Sequence, residues 1–284
     1  MSLEPTRASS ERSGGGSPER GRGVNARVTF LGTGTSSGVP SIGCTCAVCR
    51  STDPHDKRLR PSIHVDVPKH ASILVDTSPD LRQQALTYGL TRVDAILFTH
   101  SHADHILGLD EIRRFNFMQH GAIPCYAMAD VWTNIRHTFH YIFDGVPRLG
   151  GGIPLIETHE IDGAFEVGGV RVLPVPLLHG NMPILGFRFG SLAYLTDCSA
   201  IPDESWPLVA RVDTLVIDAL REKKHPTHFN VDDALAAIAK IAPRRAYLTH
   251  MAHDLGHAET NARLPAGVEL AYDGLVLDAI VDAS

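Results

Sequence analysis

No apolar stretch in this chain approaches the length needed to cross a bilayer, which argues against a membrane-spanning protein. Positive charge is in deficit, with 26 Lys and Arg against 32 Asp and Glu and a formal net charge of -6. Gripping a polynucleotide takes clustered surface cations, so no nucleic-acid partner is expected. A small anionic substrate stays compatible with this balance where bound metal ions supply positive charge locally. Cysteine is scarce and odd in number, five in 284 residues. Cys44, Cys46 and Cys49 are bunched while Cys125 and Cys198 stand alone, so no disulfide framework follows. Residues 1–24 are polar and rich in Gly and Ser, and they lack the hydrophobic core of a secretory signal. They read as a disordered tail, and the chain as a cytoplasmic protein whose cysteine bunch binds metal.

Beyond the tail, residues 25–284 are a length that α/β layers reach as one unit, and the 43% hydrophobic and 20% charged content of the whole chain is that of an ordinary globular protein. The most informative segment is Thr99-His-Ser-His-Ala-Asp-His105. It places His100, His102, Asp104 and His105 directly behind the apolar run 93–98 and ahead of Ile106-Leu-Gly-Leu109. A strand end followed by a helix start lets side chains converge on one point above a sheet. Three imidazoles and a carboxylate in that position suit a bound cation and make little sense as packing.

The apolar pattern predicts strands at 27–31, 62–67, 71–76 and 93–98, and helices over 79–88, 104–116 and 129–143. A Gly/Pro-rich link at 146–154 separates a second half. There, strands are expected near 164–177, 184–190, 192–196, 213–218, 245–249 and 267–280, with helices near 203–210 and 231–240. Strands with interspersed helices in both halves imply two packed sheets with helices outside. The loop Gly32-Thr-Gly-Thr-Ser-Ser-Gly-Val-Pro40 lets backbone approach a ligand closely, but it lacks the Lys-Ser or Lys-Thr of a nucleotide-binding P-loop.

In the second half, three apolar runs end on a polar residue: Val172–Leu178 on His179, Leu192–Thr196 on Asp197, and Ala246–Thr249 on His250. With the first cluster they make five histidines and two carboxylates. That set suits two metal ions sharing a bridging carboxylate better than one.

This order of ligand types, His-x-His-x-Asp-His followed by an isolated His, a strand-ending Asp and a late strand-ending His, resembles the metallo-β-lactamase superfamily. The resemblance implies an αββα sandwich of two mixed sheets with helices on the outer faces. It also implies that His100, His102 and His179 bind one metal, that Asp104, His105 and His250 bind the other, and that Asp197 bridges them. Asp76 corresponds to an early aspartate that buttresses the ligand loop. The acidic bridging residue fits phosphodiester hydrolysis better than β-lactam cleavage.

Cys44-Thr-Cys-Ala-Val-Cys49 offers three thiolates within six residues, one donor short of a structural zinc tetrahedron. Together with the Gly32–Pro40 loop it resembles the phosphoribosyl 1,2-cyclic phosphate phosphodiesterase branch of the superfamily, from about residue 26 onward. That resemblance implies that His253 completes a structural zinc site with the three cysteines. It further implies Mn2+ or Zn2+ at the active site, a small cyclic phosphate substrate, His228 as general acid and Asp104 as a further catalytic residue. A homodimer is a fair expectation. Asp110, Arg113, Arg114 and Asn116 follow the first cluster, where an exposed helical ion pair is the plainer reading. His225 and Arg221 are weaker candidates for contact with a distal phosphate. The rivals are a tRNA 3′-processing endonuclease, disfavoured by the missing basic extension, a thioester or lactone hydrolase, which usually lacks the cysteine triplet, and a non-catalytic zinc-organised module, disfavoured by the full ligand set.

Overall fold

The computed structural model describes residues 22–146 and 152–284. Its first half contains β1 (Arg22–Gly32), α1 (Ala47–Arg50), β2 (Ser62–Val67), β3 (Ala71–Val75), α2 (Leu81–Tyr88), β4 (Ala95–Leu97) and α3 (Ala103–Ile106). α4 (Arg113–Gln119), β5 (Ile123–Ala127), α5 (Ala129–Thr138), α6 (His140–Phe143) and β6 (Ile156–Glu160) follow. The second half contains β7 (Phe165–Val167), β8 (Val170–His179), β9 (Met182–Phe189), β10 (Leu192–Leu195), α7 (Trp206–Val209), β11 (Thr214–Asp218) and α8 (Val231–Ile241). β12 (Arg245–Thr249), α9 (His257–Asn261), β13 (Val268–Leu270) and β14 (Val276–Ala283) complete it.

Hydrogen bonding orders the first sheet β6-β5-β4-β3-β2-β1-β14 and the second β8-β9-β10-β11-β12-β13. Both are mixed. β3 through β6 run parallel, as do β10 through β13, while the remaining pairs are antiparallel. The two sheets touch along one corner, where Ala283 of β14 pairs with Val170 of β8.

Side chains alternate across the strands, and the central parallel strands β3, β4 and β11 are buried on both faces, as strands covered on two sides require. In β3, Ile73 and Val75 enter the core between the sheets with Phe30, Phe187, Phe189 and Tyr194, while Leu74 turns outward. Leu74 packs in a cluster with Ile96, Phe98, Leu81 of α2 and Trp132 of α5. In β11, Val216 faces inward, and Leu215 and Ile217 join the cluster that holds Ala234 and Ile238 of α8. Two inner sheet faces and two outer helical layers make the expected αββα sandwich.

Several details depart from the sequence pattern. β5 and β6 were not expected. β5 alternates buried Ile123, Cys125 and Ala127, but Pro124 removes a donor from a run of only five residues, and β6 is almost wholly polar and exposed. The helix expected over 104–116 is broken into α3, a 3-10 turn at Leu109–Ile112 and α4. The strand expected near 164–177 is a hairpin, β7 and β8, turning through Gly168 and Gly169 with φ of 53° and 79°. Of the tail 1–24, residues 1–21 lie outside the described residues, while Arg22, Gly23 and Val24 pair with β14. Residues 147–151 of the link also lie outside them. Among the described residues no helix is long and apolar enough to cross a membrane.

Candidate metal centre

The predicted donors collect at the carboxyl ends of neighbouring strands, where open α/β sheets place their sites. β4 leads into Thr99 and His100, β8 ends on His179, and β10, β11 and β12 lead to Asp197, Asp218 and His250. The backbone bends sharply there. Asp76, Asp197 and His250 have φ of 63°, 59° and 59°, a left-handed conformation that costs a non-glycine residue about 1–3 kcal/mol. Three such residues at strand ends turn their side chains to a common point.

α3 is held against the Asp76 strand end by Thr77 N donating to His105 O at 2.8 Å and Gly108 N donating to Thr77 O at 2.9 Å. This approach needs Gly108, because a Cβ there would collide with the carbonyl oxygen of Ser78.

Asp104, His105, Asp197 and His250 bring one donor atom each within 4.8 Å of one another, and all four are buried. His250 Nε2 lies 2.9 Å from Asp197 Oδ1 and 3.4 Å from Asp104 Oδ2. His105 Nε2 lies 3.3 Å from Asp197 Oδ2 and 3.4 Å from Asp104 Oδ2. The rings of His100, His102 and His179 lie beside this group, with centroids 4.6, 4.9 and 5.7 Å apart, and His100 Nε2 is 4.0 Å from Asp197 Oδ1. His179, Asp197 and His228 likewise bring one donor atom each within 4.8 Å of one another. His179 Nδ1 donates to the Asp197 carbonyl oxygen at 2.7 Å, which leaves its Nε2 for the centre.

The donor chemistry fits a pair of cations. His100 Nε2 and His105 Nε2 are buried and make no hydrogen bond, an expensive arrangement for polar atoms unless something else binds them. Burial alone would push the Asp104 and Asp197 carboxyls up, but His105 and His250 beside them hold both well below the ordinary value. Burial opposes charge on His250, and Asp197 and Asp104 outweigh it and push its pKa up to about 10. Divalent ions bound here would neutralise the same two carboxylates. Asp76 supports the cluster from behind. Its carboxylate accepts from Thr99 N at 2.9 Å, Thr99 Oγ1 at 2.8 Å and His105 Nδ1 at 2.8 Å. That fixes His105 Nε2 as the donor atom toward the centre.

His228 sits at the rim, with ring centroids 4.6 Å from His179 and 4.8 Å from His250. Its Nδ1 bonds to Asp218 Oδ2 at 2.9 Å. Asp218 is fully buried and went unmarked in the sequence, although it ends an apolar strand as Asp76 and Asp197 do. Burial raises the Asp218 carboxyl, and burial with His250 lowers His228 to about 4.

Cys44, Cys46, Cys49 and His253 form a separate group. His253 Nδ1 lies 3.2, 3.4 and 3.6 Å from the three sulfurs in that order. These spacings lie at or up to 0.4 Å below the sulfur–nitrogen separation of about 3.6 Å that a tetrahedron with Zn–S near 2.3 Å and Zn–N near 2.0–2.1 Å implies. The Cys49 N–H, donated to Cys46 Sγ at the start of α1, and His253 lower the Cys46 thiol to about 6. Buried Arg58 ties the neighbouring loop to the His253 segment, donating to Ala252 O at 3.0 Å and Leu255 O at 2.6 Å. Met251 N donates to Thr33 O at 2.9 Å, so the glycine-rich loop is pinned one residue beyond His250.

Other candidates have structural tasks. Asp110 accepts from Tyr141 Oη at 2.6 Å and pairs with Arg113 at 3.4 Å, and Arg114 lies over the Phe117 ring. Asn116 bonds to Gly121 and Leu155 backbone, and Arg221 clamps carbonyls of its own loop.

The sandwich and its buried His/Asp cluster are those of the metallo-β-lactamase fold, with a donor set suited to divalent metal. A family model for the beta-lactamase superfamily domain matches residues 71–251, and the chain belongs to that superfamily. A solved diphosphatase from the PhnP family is 46% identical, with a TM-score of 0.86 over 92% of this chain and 100% of its own. The chain accordingly falls in the PhnP-like branch. An octanoyltransferase from Porphyromonas gingivalis is 40% identical over 260 residues, 90% of this chain but 52% of the relative, so this chain spans about half of that protein's length. Zn2+-bound PqqB from Methylobacterium extorquens shares the fold at 21% identity and a TM-score of 0.71, covering 89% of this chain and 100% of its own.

Proposed function

We propose that this chain is a dinuclear-metal phosphodiesterase that hydrolyses a small cyclic phosphate ester, with phosphoribosyl 1,2-cyclic phosphate as the favoured substrate. The observation that supports the reading is Asp197, whose Oδ1 lies 2.9 Å from His250 Nε2 and 4.0 Å from His100 Nε2 and whose Oδ2 lies 3.3 Å from His105 Nε2, with a carboxyl-bound imidazole, His228, beside it. His100, His102 and His179 would hold one cation, Asp104, His105 and His250 the other, and Asp197 both. The cysteine triplet and His253 would hold a structural zinc. Bound divalent ions supply Lewis acidity, neutralising phosphate oxygens and acidifying water.

The chain's own residues do the rest. Asp218 orients His228 through Nδ1, leaving Nε2 to face a leaving oxygen. An arriving phosphate anion favours the imidazolium form, against the burial that depresses it. Water adds to phosphorus as the ester P–O bond breaks, and the departing sugar oxygen takes the His228 proton. The proton lost by the water restores the balance. Such a general acid contributes roughly 10²–10⁴-fold. A negative surface with local cations suits a small anionic substrate better than a polynucleotide.

A second reading follows from the PhnP-family relative, whose name specifies diphosphate cleavage. A diphosphate leaves as a phosphate and needs His228 less than a sugar alkoxide does. The test is turnover of a cyclic phosphate, bis(4-nitrophenyl) phosphate, a diphosphate, a thioester and a lactone by metal-loaded protein. Preference for the cyclic phosphate, abolished in Asp197→Ala with the knuckle zinc retained, supports the proposal. Preference for the diphosphate favours the second reading, and turnover unchanged in Asp197→Ala refutes the dinuclear mechanism.

A further inference from the structure

The imidazoles of the site form a continuous arc. Ring centroids step from His102 to His179 over 4.9 Å, from His179 to His228 over 4.6 Å, and from His228 to His225 over 5.2 Å. His225 is the last ring of the arc, and neither the metal donor sets nor the His228–Asp218 pair uses it. Its loop is built to hold a position. Leu220 N donates to Phe229 O at 2.9 Å and Val231 N to Arg221 O at 3.1 Å, closing the loop at its base. Asn230 Nδ2 donates to Glu222 O at 2.8 Å, and Arg221 Nε to Lys223 O at 3.2 Å.

Inside this loop, Thr227 N and Thr227 Oγ1 lie 3.4 Å and 3.1 Å from His225 Nδ1. A backbone N–H can only donate, so Nδ1 is the acceptor and the neutral ring carries its hydrogen on Nε2. The loop therefore fixes one tautomer of a half-buried imidazole beside the general acid.

Resting on the phosphodiesterase reading, we infer that His225 is a substrate-binding residue that donates from Nε2 to an oxygen on the leaving group, next to the oxygen that His228 protonates. A sugar offers oxygens on neighbouring carbons, and two donors on adjacent rings can address such a pair. A plain alkyl leaving group offers only the ester oxygen. His225 thus selects for a leaving group bearing a second acceptor, either a hydroxyl or a further phosphate. A site that supplies a donor discriminates against analogues that leave it unpaired.

The experiment compares wild type, His225→Leu and His225→Gln on three substrates. Ethylene glycol cyclic phosphate needs the general acid but carries no second acceptor. A pentose cyclic phosphate adds hydroxyls, and its phosphorylated form adds a second phosphate. His225→Leu should lower kcat/KM about 10–100-fold on the pentose substrates, the range for one lost hydrogen bond to a charged or well-placed acceptor, and less than threefold on the ethylene compound. His225→Gln, which keeps an amide donor, should recover most of the loss. A loss confined to the phosphorylated pentose assigns the contact to that phosphate, and a loss on both assigns it to a hydroxyl. Equal losses on all three substrates, or none on any, overturn the inference while leaving the phosphodiesterase reading intact. Wild-type protein that turns over none of the three overturns both.

Discussion

The Asp218 carboxyl shares a hydrogen bond with His228 Nδ1 at 2.9 Å, and its other oxygen lies 3.8 Å from Nδ1 of His250. One buried carboxylate thus stands behind both the rim histidine and a predicted metal donor. Asp218→Asn keeps the shape but cannot hold the same His228 tautomer. Turnover of a substrate with an alkoxide leaving group should fall about 10–100-fold, with a smaller loss for a 4-nitrophenoxide, which leaves without a proton. Steady-state kinetics on the two leaving groups checks this, and equal losses would assign Asp218 to the metal site alone.

Asp76 has the corresponding position behind His105. Asp76→Asn removes the charge that orients Nε2 toward the centre, so metal affinity should drop about 10–100-fold. Competition against a chromogenic chelator measures it. Unchanged affinity would mean that Asp76 serves only Thr99 and the loop.

The cysteine group should behave as a staple. Cys44→Ser or His253→Ala should lose one metal per chain by elemental analysis and lower Tm by several degrees, since structural zinc binding is coupled to folding. Because Met251 bonds to Thr33 and Arg58 spans to Ala252, the same variants should also release active-site metal more easily. A variant that loses zinc with no change in Tm would contradict the staple.

His64 gives a pH dependence away from the metal centre. Its Nε2 bonds to Ser72 Oγ at 2.7 Å, and burial lowers its pKa below the ordinary 6.5. The unfolded chain therefore binds the proton more readily than the folded one. This contribution is fully present above pH 6.5 and is lost as pH falls through the lowered folded value. Urea unfolding at pH 7.5 and pH 5 should show a smaller acid loss in His64→Gln than in wild type. An identical loss in both would remove His64 from the acid response.

Much of the site was legible because polar residues that terminate apolar runs are conspicuous. His100, His179, Asp197 and His250 each follow such a run, and each arrives at the centre. Asp218 follows the same rule, but its partner His228 is ten residues away and no local cluster marks it. The fourth donor of the cysteine group was readable only through family resemblance, because 204 residues separate Cys49 from His253. β5 is hidden because its short apolar alternation is broken by Pro124, and β6 because its pairing with β5 rests on no apolar pattern of its own. The break in the helix after His105 was equally hidden, since it depends on Gly108 passing against Ser78 in three dimensions.

The central claim is that two cations sit on either side of Asp197. Anomalous diffraction from crystals grown with Mn2+ or Zn2+ tests it directly. The account predicts two peaks about 3.5–4 Å apart, one among His100, His102 and His179 and one among Asp104, His105 and His250, plus a third between the cysteines and His253. A peak at the cysteines alone, or a single ion at the histidines with Asp197 turned away, would contradict it.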